Sequence, residues 1–152
     1  MKAGVVAPAI VCLSMLACEP TLPNDFQSLM QLMNSNNETT SVAASNKLSK
    51  TYGKDGLLIV LKDGRPQAQL MATRWLSRFP APDVERAMSD VVLLNRDRSL
   101  RIGALWTLSE IGTVSALPAV DQAMQDPDAS VAGMARDVAN SIRGRARDAG
   151  NR

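Results

Sequence analysis

The feature that most limits what this chain can become is a pattern that recurs every 31–32 residues. Asp63, Asn95 and Asp126 each stand nine residues ahead of a small side chain, Ala72, Ala104 and Ala135. Four residues further on come Leu76, Leu108 and Ala139, followed by Phe79, Ile111 and Ile142. Just ahead of each polar turn position is an apolar one, Leu61, Leu93 or Met124. A fixed period of this size marks one supersecondary unit copied and stacked, because each copy buries its apolar face only against a neighbour.

Inside each copy the spacing is helical. Ala68, Met71, Ala72, Trp75, Leu76 and Phe79 form one apolar stripe, and Trp75 is read as core. Leu100, Gly103, Ala104, Thr107, Leu108 and Ile111 repeat that stripe, as do Val131, Met134, Ala135, Val138, Ala139 and Ile142. Gly103 and Ala104 permit close helix approach. The apolar run 57–61 alone fits either a strand or a buried helix, but its register with 91–93 and 120–124 selects helix. Pro66 suits a first helical position, Gly112 a helix C-cap and Ser115 an N-cap. The apolar content comes from Ala, Leu, Met and Val, with two Trp, one Tyr and two Phe, a palette for helix packing rather than strands.

Reaction chemistry finds little to work with. The chain has no histidine, which removes the commonest general base and metal ligand. Cys12 and Cys18 both lie near the start and form no disulfide framework. There is no Gly-rich phosphate loop and no Cys or His cluster for zinc, so no catalytic residue, metal or cofactor is assigned. Seventeen Lys+Arg against fifteen Asp+Glu leave a net charge of +2, which argues against a nucleic-acid partner. All arginines lie at or beyond Arg65 and all lysines at or before Lys62, yet acids such as Asp83, Glu85, Asp90, Asp97 and Glu110 are interspersed, as on a solvated surface.

Residues 3–17 form an apolar run after Met1 and Lys2, too short to span a bilayer comfortably but suited to an export signal. Met15-Leu16-Ala17-Cys18 resembles the lipobox of bacterial lipoproteins, although Leu is usual where Met15 stands and Leu16 is larger than the family normally carries. The resemblance implies cleavage before Cys18 and lipid attachment to it, and Glu19 implies the outer membrane, facing the periplasm, in a Gram-negative cell. Lipid chains contribute roughly 0.8 kcal/mol per buried methylene, enough together to hold a protein at a membrane. The competing reading of this start is an uncleaved apolar anchor or a misassigned start codon.

Residues 97–108 (Asp-Arg-Ser-Leu-Arg-Ile-Gly-Ala-Leu-Trp-Thr-Leu) resemble the signature of HEAT-like repeats, particularly the short kind of phycobilin lyases, as do residues 126–131 leading to Ala135 and Ile142. Arg101 alone matches the arginine these repeats usually carry; Gln69 and Ala132 stand in its place elsewhere. The resemblance implies an all-α fold, a right-handed α-solenoid of three to four helical hairpins serving as a scaffold or binding surface. The expected organisation is a leader at 1–17, a tether at 18–25, a repeat domain at 26–145 and a frayed basic tail at 146–152. Within the domain a weak first repeat at 26–53 precedes clear ones at 55–79, 83–112 and 115–143.

In such solenoids the second helix of each pair lines the concave side, as the resemblance implies. Its expected exposed rows are Gln69, Arg101 and Ala132; Thr73, Leu105 and Arg136; and Arg74, Trp106 and Asp137. Arg74, Arg101, Leu105, Trp106, Arg136 and Asp137 therefore form the candidate patch for another protein, since Trp and Arg most often carry interface energy. The alternative is that Trp106 folds over its neighbours and only shields the stack. The expected function is a membrane-anchored, non-catalytic protein-binding scaffold. Its rival is a cytoplasmic lyase-like or chaperone-type subunit, with a nucleic-acid-binding repeat protein third.

Overall fold

Turn chemistry sets the frame. Asn95 accepts from the Asp97 N–H at 2.8 Å, and Asp97 then accepts from the Ser99 N–H at 2.7 Å. Asp126 and Asp128 repeat this one unit later, at 2.8 Å to the Asp128 N–H and 2.9 Å to the Ser130 N–H. The first residue of each pair reverses the chain; the second caps the helix that follows, a contribution of about 1 kcal/mol. Ser35 and Asn37 do the same job near the start.

The computed structural model describes residues 22–151. These form helices α1 (Phe26–Leu32), α2 (Glu38–Asp63), α3 (Pro66–Leu76), α4 (Pro82–Leu94), α5 (Arg98–Ile111), α6 (Leu117–Ala123) and α7 (Ala129–Gly150). No strand occurs among the described residues, and the 57–61 run is helical. No helix among them is long and apolar enough to cross a membrane. The expected leader, Cys12 and Cys18 lie outside the described residues.

α2 is two helices joined end to end. Gly53 sits at φ 60° and ψ −151°, a conformation open to glycine and to almost nothing else. The half before it is the second helix of a first pair with α1, and the half after it pairs with α3. α4 with α5 and α6 with α7 complete four helix pairs, an all-α solenoid. α3 packs on α5 and α5 on α7 in one layer; α4 packs on α6 in the other.

The stripe read from the periodicity is the core: Ala72, Leu76, Ala104, Leu108, Ala135 and Ala139 are fully buried. Trp75 is only half-buried at the core margin, with the Arg78 guanidinium 4.2 Å over its ring. α3 and α5 approach closely at Gly103, where a Cβ would meet Thr73 Oγ1 at 2.9 Å and Leu70 Cδ1 at 3.1 Å. Beside it the buried Thr107 hydroxyl donates across to the Thr73 carbonyl at 2.8 Å.

Two helix ends differ from expectation. Ser115 is not the N-cap: a 3-10 turn, Val114–Ala116, precedes α6 and is capped by Thr113. The Ser115 hydroxyl instead donates to Glu85, a buried carboxylate that also accepts from the Thr113 hydroxyl at 3.0 Å and the Thr113 N–H at 3.3 Å. The C-terminal end was expected to fray from residue 146, but α7 runs to Gly150. Arg145 helps hold it, donating to the Ser109 carbonyl at 2.6 Å and the Gly112 carbonyl at 2.7 Å, which are orphan acceptors at the end of α5. Gly112 is the C-cap of α5 as expected, in an extended conformation.

Gly53 isolates the backbone term, because a Cβ there would meet nothing within 4 Å. Gly53→Ala is expected to lower stability by about 1–3 kcal/mol with no change in core packing, read from urea unfolding.

Candidate functional site

The exposed side of α3, α5 and α7, together with the first half of α2, carries the candidate site. On α5 the core takes Leu100, Ala104, Leu105, Thr107 and Leu108, and helical rotation then turns position 106 outward. Trp106 is 42% exposed, so it does not fold away over the stack. It stands between two shallow hollows, and Arg74 of α3 lines both. One, of about 300 Å³, adds Val42, Met71, Trp75, Arg78 and Glu38. The other, of about 480 Å³, adds Leu70, Ile102, Gly103 and Met134.

Two of the expected patch residues are not surface groups. Leu105 is fully buried, as is its counterpart Thr73. α3 and α5 have repeats on both sides, so the shoulders of their apolar stripe are covered as well as its centre. Arg136, at the equivalent position of α7, remains exposed because no described helix follows α7. Arg101 is likewise consumed by the fold, its side chain only 13% exposed beside Asp126. Nε lies 2.8 Å from Asp126 Oδ2 but aims its N–H off the line, so the bond proper runs from Nη2 to Oδ1 at 3.0 Å. Nη1 donates to the Asn95 and Arg96 carbonyls at 3.1 Å each. Arg101 thus clamps its own interhelical turn to that of the next repeat. Gln69, one repeat earlier, donates to the Leu61 carbonyl at 2.8 Å in a similar way.

Arg74 and Trp106 are therefore brought together. Arg136 and Asp137 are exposed on α7 but line neither hollow. The sequence reading missed Val42, Leu70 and Ile102, which stand five residues past the helix caps Asn37, Arg65 and Asp97. Their register was visible in the repeat, and they make the apolar walls of the hollows. Arg78 was missed because its position beside Trp75 depends on the turn that ends α3.

Among the described residues no three His, Cys, Asp or Glu side chains gather in a metal-binding cluster. The shifted ionisable groups lie away from the groove. The Arg98 guanidinium bonded to Asp128 holds that carboxyl below its ordinary value of 3.8, and Lys54 does the same to Asp83. Lys54 itself is raised above 10.5, chiefly by Asp83. Both pairs join consecutive repeats.

The family model for HEAT repeats matches residues 54–139. The chain belongs to the HEAT repeat family. That match covers the second pair onward and includes both Arg74 and Trp106; no curated protein matches the chain. In HEAT repeat terms the groove is a surface of the second helices.

Two outcomes follow for stability. Leu105→Ala should cost about 2–5 kcal/mol and Arg101→Ala about 3 kcal/mol, whereas Arg74→Ala should stay within about 0.5 kcal/mol, all by denaturant unfolding. The depressed carboxylates stabilise above pH 3.8, and that contribution is lost as pH falls through their folded values. The raised lysine contributes below pH 10.5 and loses its contribution at higher pH. Acid titration followed by circular dichroism should show a shallower stability loss in an Arg98→Ala, Lys54→Ala variant than in the parent.

Proposed function

We propose that the chain is a membrane-anchored, non-catalytic scaffold that holds a partner protein in the groove around Trp106. The observation that carries the binding role is an exposed tryptophan set between two apolar hollows and flanked by Arg74. Tryptophan and arginine at the centre of a concave apolar surface supply most of the energy where such surfaces bind proteins. The short 31–32-residue period supports kinship with the repeats of phycobilin lyases.

The anchor is a lipid on Cys18, placing the protein on the outer membrane facing the periplasm in a Gram-negative cell. Only three residues separate Cys18 from Leu22, so a lipid there keeps Leu22 within about 14 Å of the attachment point. The segment after it is tied to the first helix pair: Lys47 donates to the Leu22 carbonyl and the Tyr52 hydroxyl to the Asn24 carbonyl at 2.9 Å. An anchor at Cys18 would thereby hold the N-terminal end of the solenoid at the lipid surface.

Palmitate labelling of cells should mark the parent chain and not Cys18→Ser; an unlabelled parent would favour a soluble cytoplasmic subunit. Crosslinking from membranes should recover a partner whose yield drops about tenfold or more in Trp106→Ala. Equal recovery of every partner in that variant removes the groove from the proposal.

A further inference from the structure

The groove is framed by hydrogen-bond donors that nothing in the fold satisfies. Among the described residues the Arg74 and Arg78 guanidiniums have no carboxylate within ion-pair distance, and neither donates a side-chain hydrogen bond. Four arginines of the repeat stack are spent: Arg98 on Asp128 and Ser130, Arg101 on Asp126, Arg143 on Asp121, Arg145 on the end of α5. Arg65, Arg86, Arg96 and Arg136 also have no ion pair among the described residues, but they line neither hollow beside Trp106. Arg78 is also held in place. Its guanidinium lies over the Trp75 ring at 4.2 Å, a cation–π contact that uses none of its N–H donors. The Trp106 indole adds a donor with no acceptor partner among the described residues. Arginine and tryptophan side chains donate only, so a partner that displaces water from this rim must bring acceptors.

Between the donors the walls are apolar: Val42 and Met71 on one side of Trp106, Leu70, Ile102 and Met134 on the other. Charge has the same sense. Two guanidiniums face the exposed carboxylate of Glu38 in the first hollow, and the second contains Arg74 and no acid. We infer that the groove takes an acidic amphipathic peptide segment, with apolar side chains in the two hollows astride Trp106 and carboxylates on Arg74 and Arg78. Guanidinium forks match carboxylates in two-point geometry, and a pre-stacked fork loses little freedom on binding. A polyanionic backbone fits less well, because it needs a continuous positive track, and Arg98, Arg101, Arg143 and Arg145 are held in ion pairs or on cap carbonyls. The inference rests on the binding role proposed for this groove and specifies its occupant.

The test is selection from a displayed library of random dodecapeptides on the immobilised full chain, run beside Arg74→Glu, Arg78→Glu and Trp106→Ala forms whose circular dichroism matches the parent. The parent should enrich sequences pairing Asp or Glu with large apolar residues. The charge-reversed form should enrich Lys and Arg instead, and replacing Glu by Gln in a selected peptide should weaken binding about tenfold or more. Peptides without acidic bias that still require Trp106 would overturn the acidic occupant while leaving the groove a protein-binding site. No enrichment over blank support, or enrichment indifferent to Trp106, would overturn both. Trp106-dependent capture of a single-stranded oligonucleotide in place of peptide would also overturn it.

Discussion

Burial of a continuous seam of alanine, leucine and valine between successive helix pairs is the constraint on which everything else in this molecule depends. A single pair has two apolar flanks and can cover neither by itself. Each fully buried leucine or valine is worth about 1.5–3 kcal/mol, so most of the driving force is realised only when a neighbour docks. Small side chains set how closely it docks. At Gly103 the backbones of α3 and α5 come near enough for the Thr107 hydroxyl to reach the Thr73 carbonyl, a polar bond inside an otherwise apolar contact.

Once the layers are this close, the turns between helices must be reconciled, and the chain does so with charged side chains that read as surface groups. Glu85 gathers the Thr113 and Ser115 donors ahead of α6. Arg101 satisfies the carbonyls of its own turn while pairing with Asp126 of the next. Arg145 does so for the end of α5. These groups lock consecutive repeats in register.

The repeat stripe was legible in the sequence because it depends only on local period: Ala72, Ala104 and Ala135 are buried by the helical spacing that first revealed them. The shoulders of that stripe were not. Whether Leu105 is covered depends on which helices flank α5, and that is decided by chain 25 or more residues away, as the Arg101–Asp126 pair illustrates. Glu85 was misjudged for the same reason, since its partners are 28 and 30 residues downstream. Of the candidate site, Trp106 and Arg74 were readable from register alone. Val42, Leu70 and Ile102 shared a register that carried no conspicuous chemistry, and Arg78 gained its place only through a tertiary stack on Trp75.

The joint at Gly53 has a consequence for how the two ends of the molecule face one another. No connecting loop intervenes there; one helix leads directly into the next, so the azimuth of the N-terminal pair about the rest is governed by the two torsions of a single residue. A spare residue inserted beside it would swing everything downstream by about 100° around the helix axis. The Lys54–Asp83 link begins one position later, and the Ala68 N–H bond to Asn34 also crosses the joint. Length at that junction is therefore under geometric control as well as residue identity, and it fixes the compass bearing of the groove relative to the N-terminal pair.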